Sequence, residues 1–97
     1  MSSCDHRTME QHDVSLLARS GNWAVVQLPG RKFPAICLQG DTFAGLRTRF
    51  VDAATTLQHD PADPEALDEL DRATRELDAV LGYYEQVLTT HGINRPY

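Results

Sequence analysis

The first apolar runs in this chain are short and have strand character, and the second of them follows a two-residue period. Asp13–Arg19 (DVSLLAR), Trp23–Leu28 (WAVVQL) and Phe33–Gln39 (FPAICLQ) are rich in aliphatic, β-branched or aromatic residues and are separated by turn chemistry. Each therefore predicts a strand. In the second run Trp23, Val25 and Gln27 fall on one face, and Ala24, Val26 and Leu28 on the other. Ser20-Gly21-Asn22 predicts a tight turn, because Gly and Asn tolerate positive φ. Pro29-Gly30 predicts a type II turn, with Pro presetting φ and Gly supplying the positive-φ position. Pro34 lacks an N–H and belongs at the start of the third strand or on an edge.

Beyond Gly40 the period changes. Phe43, Leu46, Phe50, Ala53, Ala54 and Leu57 recur at spacings of three and four, which predicts a helix capped by Asp41 or Thr42. The Gly40-Asp41-Thr42 corner is expected to turn that helix back over the sheet. Pro61 and Pro64 break the chain. Asp63 then caps a second helix with Pro64 at its first position, where a missing N–H costs nothing. This helix is predicted to span residues 64–91 and to stop at Gly92.

Two stripes run along it. Leu67, Leu70, Thr74, Leu77, Leu81, Tyr84, Leu88 and His91 alternate three and four apart, while Ala66, Ala73, Val80 and Val87 repeat every seven. A face this broad predicts packing on both the first helix and the sheet. On the opposite face Asp68–Arg72, Asp71–Arg75 and Arg72–Glu76 are i,i+4 pairs. Gly82 costs about 1 kcal/mol relative to Ala in a helix, and its presence there predicts close approach of another backbone. The expected architecture is α+β: a three-stranded antiparallel sheet followed by a helical hairpin, β-β-β-α-α. Residues 1–12 form a tail and residues 13–97 a single domain. Such a sheet leaves two edges and one face uncovered, so a homodimer or a partner strand is expected to cover them.

Composition narrows the classes. The 97 residues are 41% hydrophobic and 24% charged, which is ordinary for a globular domain. No run approaches about 18 apolar residues, and the first thirteen lack the apolar core of a secretory signal, so a cytoplasmic protein with no membrane association is expected. Residues 1–57 hold six basic and five acidic groups; residues 58–97 hold three and nine. That acidic C-terminal half argues against nucleic-acid binding, and it suits either a basic protein partner or a solvated helix face.

Candidate chemistry is sparse. One Gly beside an acid at Gly40-Asp41 is not a phosphate loop, which needs more glycines and a Lys. Cys4, Asp5, His6 and His12 cluster without a second ligand pair at metal-site spacing, so no metal is expected. Cys37 is expected to be buried in mid-strand and inert, leaving His59 and His91 without a nucleophile to activate. Of the helix acids Asp68, Glu69, Asp71, Glu76 and Asp78, most are expected on the outer face. Trp23, Arg31, Lys32 and Phe33 combine aromatic and basic groups on one hairpin, which is what an interface anchor needs. The competing reading is a core Trp23 beside a solvated basic turn. The tail Ile93–Tyr97 is expected to fold back onto its own sheet.

Two resemblances follow from blocks of residues. Ala24–Ala44, with Gln39-Gly40-Asp41-Thr42 at its corner, resembles the strand-strand-helix core of HicB-type antitoxins. That resemblance implies toxin occlusion, although its pattern calls for a further strand after the first helix. Over nearly its whole length the chain more closely resembles a family of small bacterial proteins of unknown function. The shared blocks are Gly21-Asn22-Trp23-Ala24-Val25, Leu28-Pro29-Gly30-Arg31, Phe33-Pro34, Gln39-Gly40-Asp41, Tyr83-Tyr84-Glu85, His91-Gly92-Ile93 and Pro96-Tyr97. The expectation is a non-catalytic protein-binding module without cofactors, immunity- or antitoxin-like or an accessory subunit. It would bind its partner through the sheet and hairpin surface. The alternative is a small-molecule-binding or minor enzymatic domain. Its pocket would lie between sheet and helices, with Arg31, Trp23 and Tyr84 as handles.

Overall fold

The computed structural model describes residues 9–97. The elements are β1 (Ser15–Ser20), β2 (Trp23–Gln27), β3 (Ala35–Leu38), α1 (Gly40–His59) and α2 (Pro64–Thr90). The sheet order is β1-β2-β3, and both pairs are antiparallel. The predicted β-β-β-α-α architecture is therefore the observed one.

Both hairpin turns form at the expected residues. Positive φ falls on Gly21 (57°) and Gly30 (73°). Arg31 N–H donates to Leu28 O at 3.3 Å, closing the turn around Pro29-Gly30. The third strand is shorter than its apolar run. Pro34 has no N–H to give the ladder, and its carbonyl accepts the Tyr84 hydroxyl at 2.7 Å. Pro34 is thus held by α2, and β3 begins one residue later.

The start of α1 differs from expectation. Its N-cap is Gln39, without a side-chain cap bond, and Gly40 lies inside the helix. Gln39 N–H is already bonded to Asn22 O at 3.1 Å, and Gln39 O accepts Phe43 N–H at 2.9 Å. The strand ladder therefore passes directly into the first helical turn. Asp41 accepts only the N–H of Thr42, at 2.8 Å. The start of α2 is as predicted: Asp63 Oδ2 accepts Ala66 N–H at 2.8 Å, and Pro64 follows in the first turn.

Helix α2 covers the sheet, whereas α1 does not turn back over it. Val25, Tyr84, Val87 and Leu88 form the buried cluster, with Leu17, Ala18, Tyr83 and Ile93 packed around it. The 27 residues of α2 span about 40 Å, more than the short strands can cover. Its C-terminal half lies on the sheet, and its N-terminal half runs beyond and packs on α1.

The seam there is the alanine stripe. Ala53, Ala66, Ala73 and Leu46 are buried, while Leu67, Leu77 and Leu81 are exposed. Small side chains let the two axes approach, and that leaves the leucine flank of α2 outside the seam. The molecule is accordingly open. Its Cα radius of gyration is 17.4 Å, against about 13 Å for a compact domain of this size.

Three details of the helices also depart from expectation. Nothing lies within 4 Å of a Cβ built on Gly82, so no backbone approaches it. Arg72 pairs with Asp68 and Glu69 rather than with Glu76. Glu76 lies on the flank facing α1, where Arg49 reaches it.

Candidate partner-binding groove

The divergence of α1 from the sheet opens a groove of about 600 Å³ between β3, the start of α1 and the middle of α2. Val25 pairs with Ile36 and Trp23 with Leu38, so both β3 side chains lie on the face that α2 covers. Past the reach of α2 they are left at the open side. Ile36, Leu38, Phe43, Leu77, Val80 and Leu81 line the groove, and Asp78 is the one ionisable group there. Phe43 is 61% exposed, Leu77 44%, Leu81 40% and Ile36 38%. Scattered apolar side chains at a surface need no explanation, but a contiguous apolar groove is the kind of surface that meets a partner or a ligand. From the sequence, the apolar stripe with Phe43 belongs to a helix turned back over the sheet, and the leucine stripe to a face packed on both that helix and the sheet. No signal in one chain separates a stripe that packs within the chain from one that packs outside it.

The groove walls are fixed from behind. The buried Tyr84 bond to Pro34 ties β3 to α2 across 50 residues of sequence. Burial holds the Tyr84 hydroxyl above the ordinary phenol range. On the hairpin of helices, Arg49 bonds Glu69 at 2.5 Å and Glu76 at 2.7 Å, joining α1 to α2. Hydrogen bonds from Arg49 and then Arg72 hold the Glu69 carboxyl below its usual range. Glu76, expected on the outer face, lies instead with Glu69 on the polar flank of the α1–α2 seam.

The hairpin candidates separate into two places. Trp23 packs edge-to-face on Tyr83, with centroids 5.6 Å apart, at the margin of the core. Arg31, Lys32 and Phe33 lie together at the other end of β2, where the Lys32 ammonium sits 5.3 Å from the Phe33 ring centroid. With Leu28, Pro34 and Pro96 they line a second concavity of about 610 Å³. None of Arg31, Trp23 and Tyr84, the handles expected of a small-molecule site, lines the apolar groove.

Cys37 is exposed, contrary to expectation. It pairs with Ala24 on the face away from α2. His91 is the C-cap of α2, and its Nε2 lies 3.3 Å from Leu17 O, tying the helix end to β1. The C-terminal tail folds back along α2: Tyr97 O–H donates to Glu85 at 2.9 Å, and Arg95 lies 3.4 Å from the same carboxylate. Cys4, Asp5 and His6 lie outside the described residues. His12 bonds Glu10 at 3.2 Å, and no potential metal-binding group of three or more ligands occurs among the described residues. No helix there is long and apolar enough to cross a membrane.

The fold and this groove define a small α+β domain of the β-β-β-α-α type. The chain belongs to a family of unknown function, DUF6959, whose match covers residues 9–97. No curated protein and no solved structure matches it. Nothing in these comparisons supports the local resemblance to HicB-type antitoxins, and among the described residues α1 is followed by α2 rather than by a strand.

Proposed function

We propose that this chain is a non-catalytic protein-binding module, an accessory or immunity-type subunit that acts by holding another polypeptide. The observation that carries the reading is the open apolar groove beside β3, with four large side chains substantially exposed and a single carboxylate at its wall. A surface of this kind suits an apolar segment of a protein and offers little to orient a polar small molecule. The basic concavity at Arg31, Lys32 and Phe33 supplies a polar flank at the start of the same strand.

The test is quantitative affinity capture from the native host, with the wild-type chain and a Leu81→Glu variant side by side. A partner, whether another protein or the host's own untagged copy of this chain, held by the wild type at fixed stoichiometry and lost by Leu81→Glu is the expected result. Equal capture by both, or capture by neither, overturns the reading. A reproducible melting-temperature rise with a small-molecule library would instead favour the alternative of a ligand-binding domain.

A further inference from the structure

We infer that the groove and the outer edge of β3 are covered by a second copy of this chain, through antiparallel β3–β3 pairing centred on Cys37. This rests on the groove being a protein-docking surface.

The hydrogen-bond pattern selects the register. Gln39 N–H bonds Asn22 O, which makes that pair the hydrogen-bonded kind. Pair types alternate along an antiparallel ladder, so Ala24–Cys37 and Val26–Ala35 are of the same kind. Ala35, Cys37 and Gln39 are thus committed to β2. The N–H and C=O groups of Ile36 and Leu38 aim outward, and no strand pairs with them among the described residues. Pro34 cannot extend that edge, having no N–H and a carbonyl already bonded to Tyr84.

A second β3 centred on Ile36 would meet Pro34 and form only one complete hydrogen-bonded pair. Centred on Cys37, it sets Ile36 against Leu38 of the second copy and Leu38 against its Ile36, forming two complete pairs. Both arrangements keep the helices of the two copies on one face of a continuous sheet. Only the second satisfies every outward group of Ile36 and Leu38, and it brings a second pair of apolar side chains alongside each groove.

Charge agrees with an antiparallel copy. The approach to β3 is basic, with Arg31 and Lys32, and its exit is acidic, with Asp41. The pairing sets the basic start of each strand beside the acidic end of the other. The groove itself brings only Asp78, so the net charge of −5 per chain is kept off the contact. The opposite edge of the sheet is blunted by comparison. β1 carries a bulge between Leu16 and Ala18, an exposed Arg19, and the His91 ring at the Leu17 carbonyl. A bulge and a charge protect an edge from pairing; β3 itself has neither.

Cys37 reports the register directly. Between two such strands the cysteines face each other as a non-hydrogen-bonded pair with Cα atoms about 4.5 Å apart. That separation lies within the range a disulfide spans, about 4.4–6.8 Å. In a Cys4→Ser background the two Cys37 thiols would give two protons and two electrons to added diamide, forming the S–S bond and the hydrazine.

The experiment is light scattering across a dilution series, followed by diamide treatment and non-reducing electrophoresis. The expected mass is about twice the 10.8 kDa of one chain, with near-complete cross-linking through Cys37. Ile36→Pro removes one outward N–H and leaves the β2 ladder intact, and Leu81→Glu charges the groove wall. Each should return the mass to one chain, with the circular dichroism spectrum unchanged and the cross-link lost. A monomer at every concentration overturns the inference. So does a dimer that diamide does not cross-link, or one that persists in a folded Ile36→Pro variant. A monomer that still captures another protein through Leu81 overturns the self-pairing and leaves the binding-module reading standing.

Discussion

At the scale of single residues, the bond from Tyr84 to Pro34 does the most to connect the two halves of the fold. It satisfies a buried hydroxyl and the one carbonyl that a proline leaves at the start of β3. Tyr84→Phe keeps the ring and leaves that carbonyl unpaired, at a cost of about 1–3 kcal/mol. Urea unfolding should show this as a lower midpoint with an unchanged slope. The same residue adds a pH dependence. Its folded-state pKa lies above the unfolded value, so its contribution is fully present below about pH 10 and is lost as pH rises towards the folded value. Wild type should therefore lose stability more steeply than Tyr84→Phe in alkaline titrations of the melting temperature.

At the scale of elements, the α1–α2 seam is built from small side chains. Ala73 has no exposed surface. Ala73→Leu would force the helices apart, with an expected loss of about 1–3 kcal/mol in thermal or urea unfolding. Gly82 is the opposite case, a helical glycine whose Cβ position is open. Gly82→Ala should raise stability by about 1 kcal/mol in the same assay; a loss there would show a contact that the single chain lacks. The polar flank of the seam is set by Arg49. The Glu69 carboxyl is held low, so its contribution is present above the ordinary carboxylate value, about 4.3. It is lost as pH falls through the depressed one. Acid titration of the melting temperature should show a slope in the wild type over that interval, and Glu69→Gln should flatten it.

At the scale of the whole molecule, a long helix shared between a small sheet and a second helix produces an open shape. Small-angle scattering of the Leu81→Glu chain should give a radius of gyration near 17 Å. A value near 13 Å, that of a compact domain, would show α1 folded onto the sheet after all. The open side is also where protein docking is proposed, so the shape and the proposed function share one cause. The alanine seam holds α1 along the far half of α2, and the face beside β3 stays uncovered.

Much of this was legible in one chain because it depends on local geometry. Glycine sets both hairpin turns at positive-φ positions, with Pro29 beside it in the second, and Asp63 with Pro64 set the start of α2. The change of period at Gly40 separated sheet from helices. The side chains that form the groove were not legible. A helix with two apolar stripes can bury either against a neighbour, and periodicity carries no information on which neighbour is within reach. The burial of Cys37 was misjudged for a related reason: alternation assigns it a face but does not say which face α2 will cover. The elements, their order and their turns are written locally, because they follow from backbone dihedrals and hydrogen-bond donors a few residues apart. That the alanine stripe makes the seam, that α1 departs from the sheet, and that Ile36, Phe43, Leu77 and Leu81 stay open to solvent emerge only in the folded chain, because packing is a competition between surfaces far apart in the chain.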